Sequence, residues 1–250
     1  LVEETYLKAS DFVAPFFLLP GENQREPIEQ LPEISRLSID LILREAEKLH
    51  KAGVPAIALF PVIDPKLKDA QGSAALDEGG VIPVSVQMLK KEIPSLCVIS
   101  DIALDPFTLH GHDGVVDSEG NILNDETVAI LSRMALLFAQ SGIDLVAPSD
   151  MMDGRVGTIR KTLDVNGFYS VGILSYTAKY ASALYAPFRD ALGSTLKFGD
   201  KKTYQMNPAN VREALRQAEL DIAQGADMIM VKPALFYLDI ISKLREASRI

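Results

Sequence analysis

The sequence predicts an α/β fold built on a parallel sheet, and three observations carry that reading. Short, continuously apolar runs recur at residues 54–62 (VPAIALFPV), 96–104 (LCVISDIAL), 144–149 (DLVAPS), 171–176 (VGILSY) and 228–232 (MIMVK). Continuous apolarity is what strands covered on both faces require. Amphipathic helical stretches separate these runs. A glycine that stops a helix and leads directly into an apolar run recurs as AGVPAIALF, SGIDLVAPS and QGADMIMVK, a repeat of βα architecture.

Taken in order, residues 1–35 read as the remnant of an N-terminal arm and lead-in to a single domain spanning 1–250. Residues 38–52 place Ile39, Ile42, Leu43, Ala46 and Leu49 on one helical face and stop at Gly53. The runs at 54–62 and 96–104 follow as the first two strands. Residues 124–141 open Asn-Asp-Glu, suited to the positive end of a helix dipole, and stop at Gly142. The strands at 144–149 and 171–176 come next, then a weaker one at 203–206. A helix over 207–224 starts Asn-Pro and precedes the strand at 228–232. No glycine-rich dinucleotide turn follows the first strand, which favours a TIM (β/α)8 barrel over an open doubly wound sheet. The count is six strands, so about six of the eight βα units are expected and two are expected to be missing.

Composition excludes several classes. Of 250 residues, 25 are Lys or Arg and 34 are Asp or Glu, a net charge of −9; a nonspecific nucleic-acid binder needs a basic surface instead. No apolar run approaches the roughly 20 residues that cross a bilayer, and LVEETYLKAS lacks the pattern of a secretory signal. The single cysteine, Cys97, sits in a strand and reads as inert core; one thiol allows neither an internal disulfide nor a multi-cysteine zinc cage. A reducing, cytoplasmic setting is expected.

Barrel chemistry gathers at the C-terminal ends of strands, which here carry Asp101 and Asp105, Ser149 and Asp150, the stretch leading to Lys179, and Lys232. Lys232 leaves a buried MIMV run, so desolvation and a neighbouring cation would both lower its proton affinity and free an amine to attack carbonyls; the alternative is a lysine snorkelling to solvent. Lys179 lies beside Tyr176, Tyr180, Tyr185, Phe188 and Arg189, a set suited to a small carboxylate or, equally, to core packing. Asp105, His110, His112 and Asp113 read either as oxygen-rich metal ligands or as a hydrogen-bonded loop. Asp153 and Arg155 read as a loop salt bridge.

Together, MVKP around Lys232, SYTAKYAS and YAPFRDA around Lys179, TYQMNPAN, APSDMMDGR and SDIALDPFTLHGHDG resemble the delta-aminolevulinic acid dehydratase (porphobilinogen synthase) family, in order through nearly the whole chain. The resemblance implies a (β/α)8 barrel that condenses two 5-aminolevulinate molecules into porphobilinogen through lysine Schiff bases, in tetrapyrrole and heme synthesis. It implies that Lys232 holds the substrate supplying the propionate side (the P site) and Lys179 the other (the A site). Arg189, Lys201 and Gln205 match residues that bind the A-site carboxylate, Phe188 a wall of the P site, and Asp101 and Ser149 polar neighbours of the lysines, Asp101 as a proton shuttle. Asp105 and Asp113 are assigned to substrate binding on the same ground. A homo-octamer or smaller homo-oligomer is implied too.

The chain departs from the family pattern in instructive places. Zinc-dependent members carry cysteines where this chain has Ala103, Asp105 and Asp113, so a magnesium-responsive enzyme is expected. At the regulatory magnesium position a glutamate is usual and Gln217 stands here, a weaker ligand for a hard ion. Ala186 replaces a usual glycine. The segment V-S-G-E-Y, which grips the P-site carboxylate, is not present, and the arm is shortened, so truncation at both ends is expected. Two competing readings follow: an inactive barrel serving as scaffold or assembly subunit, and another aldolase working through one lysine.

Overall fold

The computed structural model describes residues 2–250, with the side chains of Ala186 and Arg189 outside the described set. The elements run β1 (Val13–Leu19), β2 (Arg25–Pro27), β3 (Ser35–Ser38), α1 (Ile39–Lys51), β4 (Ala56–Pro61), α2 (Val81–Glu92), β5 (Cys97–Ile102) and α3 (Asn124–Gln140). They continue through β6 (Leu145–Pro148), α4 (Arg155–Val165), β7 (Gly172–Lys179), α5 (Ala186–Leu192), α6 (Val211–Ala223), β8 (Met228–Lys232) and α7 (Leu238–Ala247). One eight-stranded sheet has the order β2-β3-β1-β4-β5-β6-β7-β8. All neighbours pair parallel except the antiparallel β2–β3 contact.

Six strands, β1 and β4 to β8, are the parallel staves, and helices cover their outer face. Leu18, Ile57, Leu59, Val98, Val146 and Ile173 point outward into one core with Ile42, Val86, Leu131, Phe138 and Ile159 of the helices. Each such side chain removed from water contributes about 1.5–3 kcal/mol. The opposite face is lined by Ala56, Ile99, Ala147, Leu174 and Tyr176, with small side chains where the staves crowd together.

Three expectations need correction. The first stave lies in the segment read as arm and lead-in, where β1 pairs with both β3 and β4. Residues 203–206 form no strand: they make a turn in which Tyr204 and Gln205 donate to the Lys201 carbonyl at 3.3 and 2.8 Å, with one isolated bridge from Met206 to Tyr180. The sheet therefore has eight strands where six were expected: the five apolar runs form β4 to β8, and β1, β2 and β3 come from the segment read as arm and lead-in. The last long helix starts later than its Asn-Pro suggests. Asn207 caps a turn by accepting from the Ala209 N–H at 2.9 Å, and Asn210 is the helix cap, accepting from the Glu213 N–H at 3.2 Å.

One irregularity positions the chemistry. Below it, β7 alternates: Leu174 and Tyr176 face inward, while Ser175 and Thr177 face α6 and donate to Asp221 at 2.7 and 2.8 Å. A bulge between Ser175 and Ala178 then inserts one residue. Ala178 packs outward with Ala214 and Ala218, and Lys179 turns inward to become the register partner of Lys232 on β8.

Candidate active site

Lys179 and Lys232 end adjacent staves in register, and both line one small cavity. Both nitrogens stand over the same two rings: Lys179 at 5.9 Å from the centroids of Tyr176 and Tyr185, Lys232 at 5.1 and 6.0 Å. Lys232 also lies 3.8 Å from the Phe188 centroid and 5.5 Å from Phe60. Phe188 packs edge-on against Phe17 and Phe60, which are tilted against each other, to form a wall behind Lys232 with centroids 5.1–5.9 Å apart. Burial among these rings, with the nearby Lys179 charge, pulls the Lys232 amine down to about 8. Lys232 does not snorkel to solvent.

Lys179 sits in a polar clasp. Its Nζ donates to the Ser149 carbonyl and, at 3.2 Å, to Asp113 Oδ1. Asp113 is buried, and burial alone would raise its carboxyl; the Lys179 and Lys201 ammoniums outweigh that and hold it at about 2. Lys201 pairs with Asp113 at 2.7 Å and Asp105 at 3.3 Å. Burial works against its charge, but the two carboxylates prevail and raise its proton affinity. Asp101, on β5, is buried with Oδ1 unpartnered among the described residues. Burial first, then the Asp105 charge, pushes its carboxyl to about 7. It is therefore poised to take or release a proton near neutrality.

Asp101, Asp105, Ser149, Phe188, Lys201 and Gln205 all line the cavity with the two lysines. Asp113 stands just behind it, bonded to both Lys179 and Lys201. The side chain of Arg189 lies outside the described residues. Gln217 is elsewhere: from α6 its amide donates to Asp221 Oδ1 at 2.8 Å.

The donor set does not fit a metal. Asp105 and Asp113 are already matched by lysines. His110 faces the Ala70 carbonyl at 3.2 Å, and His112 lies between Tyr204 Oη and the Phe198 carbonyl, both at 3.1 Å. Gln217 turns its amide nitrogen, not its oxygen, to the nearest carboxylate. Among the described residues no group of three His, Cys, Asp or Glu side chains could hold an ion. The reading of residues 105–113 as a hydrogen-bonded loop is the one observed. Arg155 is also not paired with Asp153; it is buried, 3.5 Å from Asp150 and 3.8 Å from Asp221.

Sequence reasoning passed over Tyr204 and Phe60. Tyr204 lies in the turn with Lys201 and Gln205, and its hydroxyl reaches Asp113 Oδ2 at 2.8 Å. Its spacing three residues after Lys201 was the available signal. Phe60 carried none, since a phenylalanine in an apolar strand looks like any core residue.

The family model for delta-aminolevulinic acid dehydratase matches residues 1–250. A delta-aminolevulinic acid dehydratase of Bradyrhizobium diazoefficiens is 52% identical over 247 residues, 98% of this chain and 70% of its own. The chloroplastic enzyme 1 of Arabidopsis thaliana is 49% identical over 98% of this chain and 57% of its own. The crystal structure of the Toxoplasma gondii porphobilinogen synthase, in complex with its reaction product porphobilinogen, superposes with a TM-score of 0.97 at 46% identity, covering 100% of this chain and 71% of that one. With two lysines meeting at one barrel mouth and a match along its whole length, this chain belongs to the delta-aminolevulinic acid dehydratase family.

Proposed function

We propose that this chain condenses two molecules of 5-aminolevulinate into porphobilinogen with net loss of two waters, each ketone activated as an imine on Lys232 or Lys179. The observation that carries this reading is the pair of amines in register on β7 and β8, sharing the faces of Tyr176 and Tyr185.

Each amine adds to a substrate ketone, and the carbinol loses water to give an imine. The protonated imine draws electrons from the neighbouring carbon, whose proton passes to Asp101, a carboxylate near its midpoint at neutral pH. The carbanion-like carbon attacks the second substrate, held within reach by the other lysine at high effective concentration. Closure by the free amino group and loss of the lysine amines complete the ring. Gln205 and Lys201 are assigned to the A-site carboxylate and Phe188 to the wall of the P site, and their lining of the same cavity as the two lysines supports that assignment. The inactive-scaffold reading has no observation in its favour, because both lysines and Asp101 stand together in the cavity.

Trapping tests it directly. Sodium borohydride with 5-aminolevulinate should reduce adducts onto the peptides carrying Lys232 and Lys179; absence of any adduct removes the proposal. An adduct on one lysine alone, formed equally well from an unrelated ketone, would instead favour the single-lysine aldolase.

Zinc independence is proposed alongside it, because Ala103, Asp105 and Asp113 offer no thiol and Cys97 lies at the opposite end of β5 from Asp101. Activity should survive a zinc-selective chelator; loss reversed only by zinc refutes this. No residue set described here fits the magnesium ion, and no step above depends on one. A homo-oligomer in the cytoplasm completes the proposal. No helix of the described residues is long and apolar enough to cross a membrane.

A further inference from the structure

Between the cavity and the loop at 197–200 lies a short row of polar contacts that the mechanism above does not use. Tyr204 Oη is 2.8 Å from Asp113 Oδ2, accepts from the Asp113 N–H at 3.3 Å, and is 3.1 Å from His112 Nδ1. The far nitrogen of His112 is 3.1 Å from the Phe198 carbonyl, an acceptor only, so Nε2 carries a proton there. The phenol has one proton and two partners that can take it, Asp113 and His112. An ionised carboxylate at the shorter distance is the stronger acceptor, so the O–H points at Asp113.

Asp113 is thereby divided. Oδ2 receives Tyr204 and, at 2.7 Å, Lys201, while Oδ1 faces Lys179 at 3.2 Å. A carboxylate with fewer hydrogen bonds concentrates its charge on the donors that remain. Without the phenol, Asp113 would be free to turn about its side-chain bonds and draw the Lys179 nitrogen away from the place where a ketone must meet it.

We propose that Tyr204 is a positioning residue for Lys179: by holding Asp113 at Oδ2 it fixes the carboxylate so that Oδ1 faces and orients the Lys179 amine. The role rests on the Schiff-base reading of Lys179 and extends it to a residue that touches neither lysine. The phenol is kept protonated, hence a donor, because burial and the adjacent Asp113 charge push its proton affinity up. The other charged or titratable groups facing this row are Lys201, Asp200 and His110 on the His112 side, and Asp105 on the Tyr204 side.

Site-resolved trapping of Tyr204→Phe tests it. The ring stays, so packing is kept, and Lys232 in the same molecules reports on the fold. Borohydride reduction of 5-aminolevulinate adducts, followed by mass spectrometry of the two lysine peptides across pH, should show Lys179 modified about tenfold more slowly than in the parent. The rate at Lys232, which Tyr204 does not touch directly or through Asp113, should stay unchanged. Equal slowing of both lysines would mark a merely structural role and overturn the inference, as would no change at either. If Lys232 traps no adduct in the parent, the proposed function fails first, an outcome distinct from all of these.

Discussion

The two lysines differ in surroundings more than in position. Lys232 stands against hydrocarbon and ring faces, whereas Lys179 is held by a carbonyl and a carboxylate. Lys232→Arg keeps the charge and the length but cannot form an imine, so turnover should fall below detection in a steady-state assay. Measurable turnover would exclude Lys232 as the essential amine. Because only the neutral amine attacks, adduct formation at Lys232 should increase with pH through about 8 and level off above it; rapid-quench trapping across pH reads this out. Asp101 acts as a base only when ionised, so kcat should climb as pH passes about 7. In Asp101→Asn that limb should vanish, with a rate loss of about 10²–10⁴-fold. At this scale much of the site was legible: strand-end lysines and carboxylates mark a barrel mouth by type and place alone. The pairing of Lys201 was not, since Asp105 and Asp113 lie 96 and 88 residues away from it in sequence and only folding brings them together.

At the scale of elements, Arg155 ties four of them together. From the start of α4 it lies 3.5 Å from Asp150 after β6 and 3.8 Å from Asp221 of α6, and it donates to Ser175 Oγ and the Tyr176 carbonyl of β7, both at 3.3 Å. Arg155→Met leaves two buried carboxylates without their cation, a loss of about 3–5 kcal/mol. Thermal unfolding should show a Tm lower by several degrees; an unchanged Tm would mean the network contributes no net stability. The helices and most staves were readable from apolar runs and glycine stops. The first stave was hidden by Pro15, which argues against a central strand. In the fold Pro15 lies where β1 pairs with β4 but not yet with β3, whose pairing begins at Phe17, so a residue without an N–H is accommodated. The turn at 203–206 reads as a strand because Tyr and Thr favour strands, while the local bonds back to Lys201 decide otherwise.

Across the whole molecule, the described sheet leaves β8 at one end with a single neighbour. Met228, Leu235, Phe236 and Leu238 around it are exposed, and an unpaired strand edge beside apolar surface promotes association. The 250-residue chain should therefore self-associate as its concentration rises, with light scattering as the measure; a monodisperse monomer at high concentration would contradict this. The extra residue in β7 has a consequence at the same scale. An ideal strand sends every second side chain to the same side, so Ser175, Thr177 and Lys179 would all face the helices. By losing step once, β7 anchors two hydroxyls in the outer layer and still delivers its amine to the inside. One stave thus serves scaffold and reaction together, and it does so because its rhythm is broken.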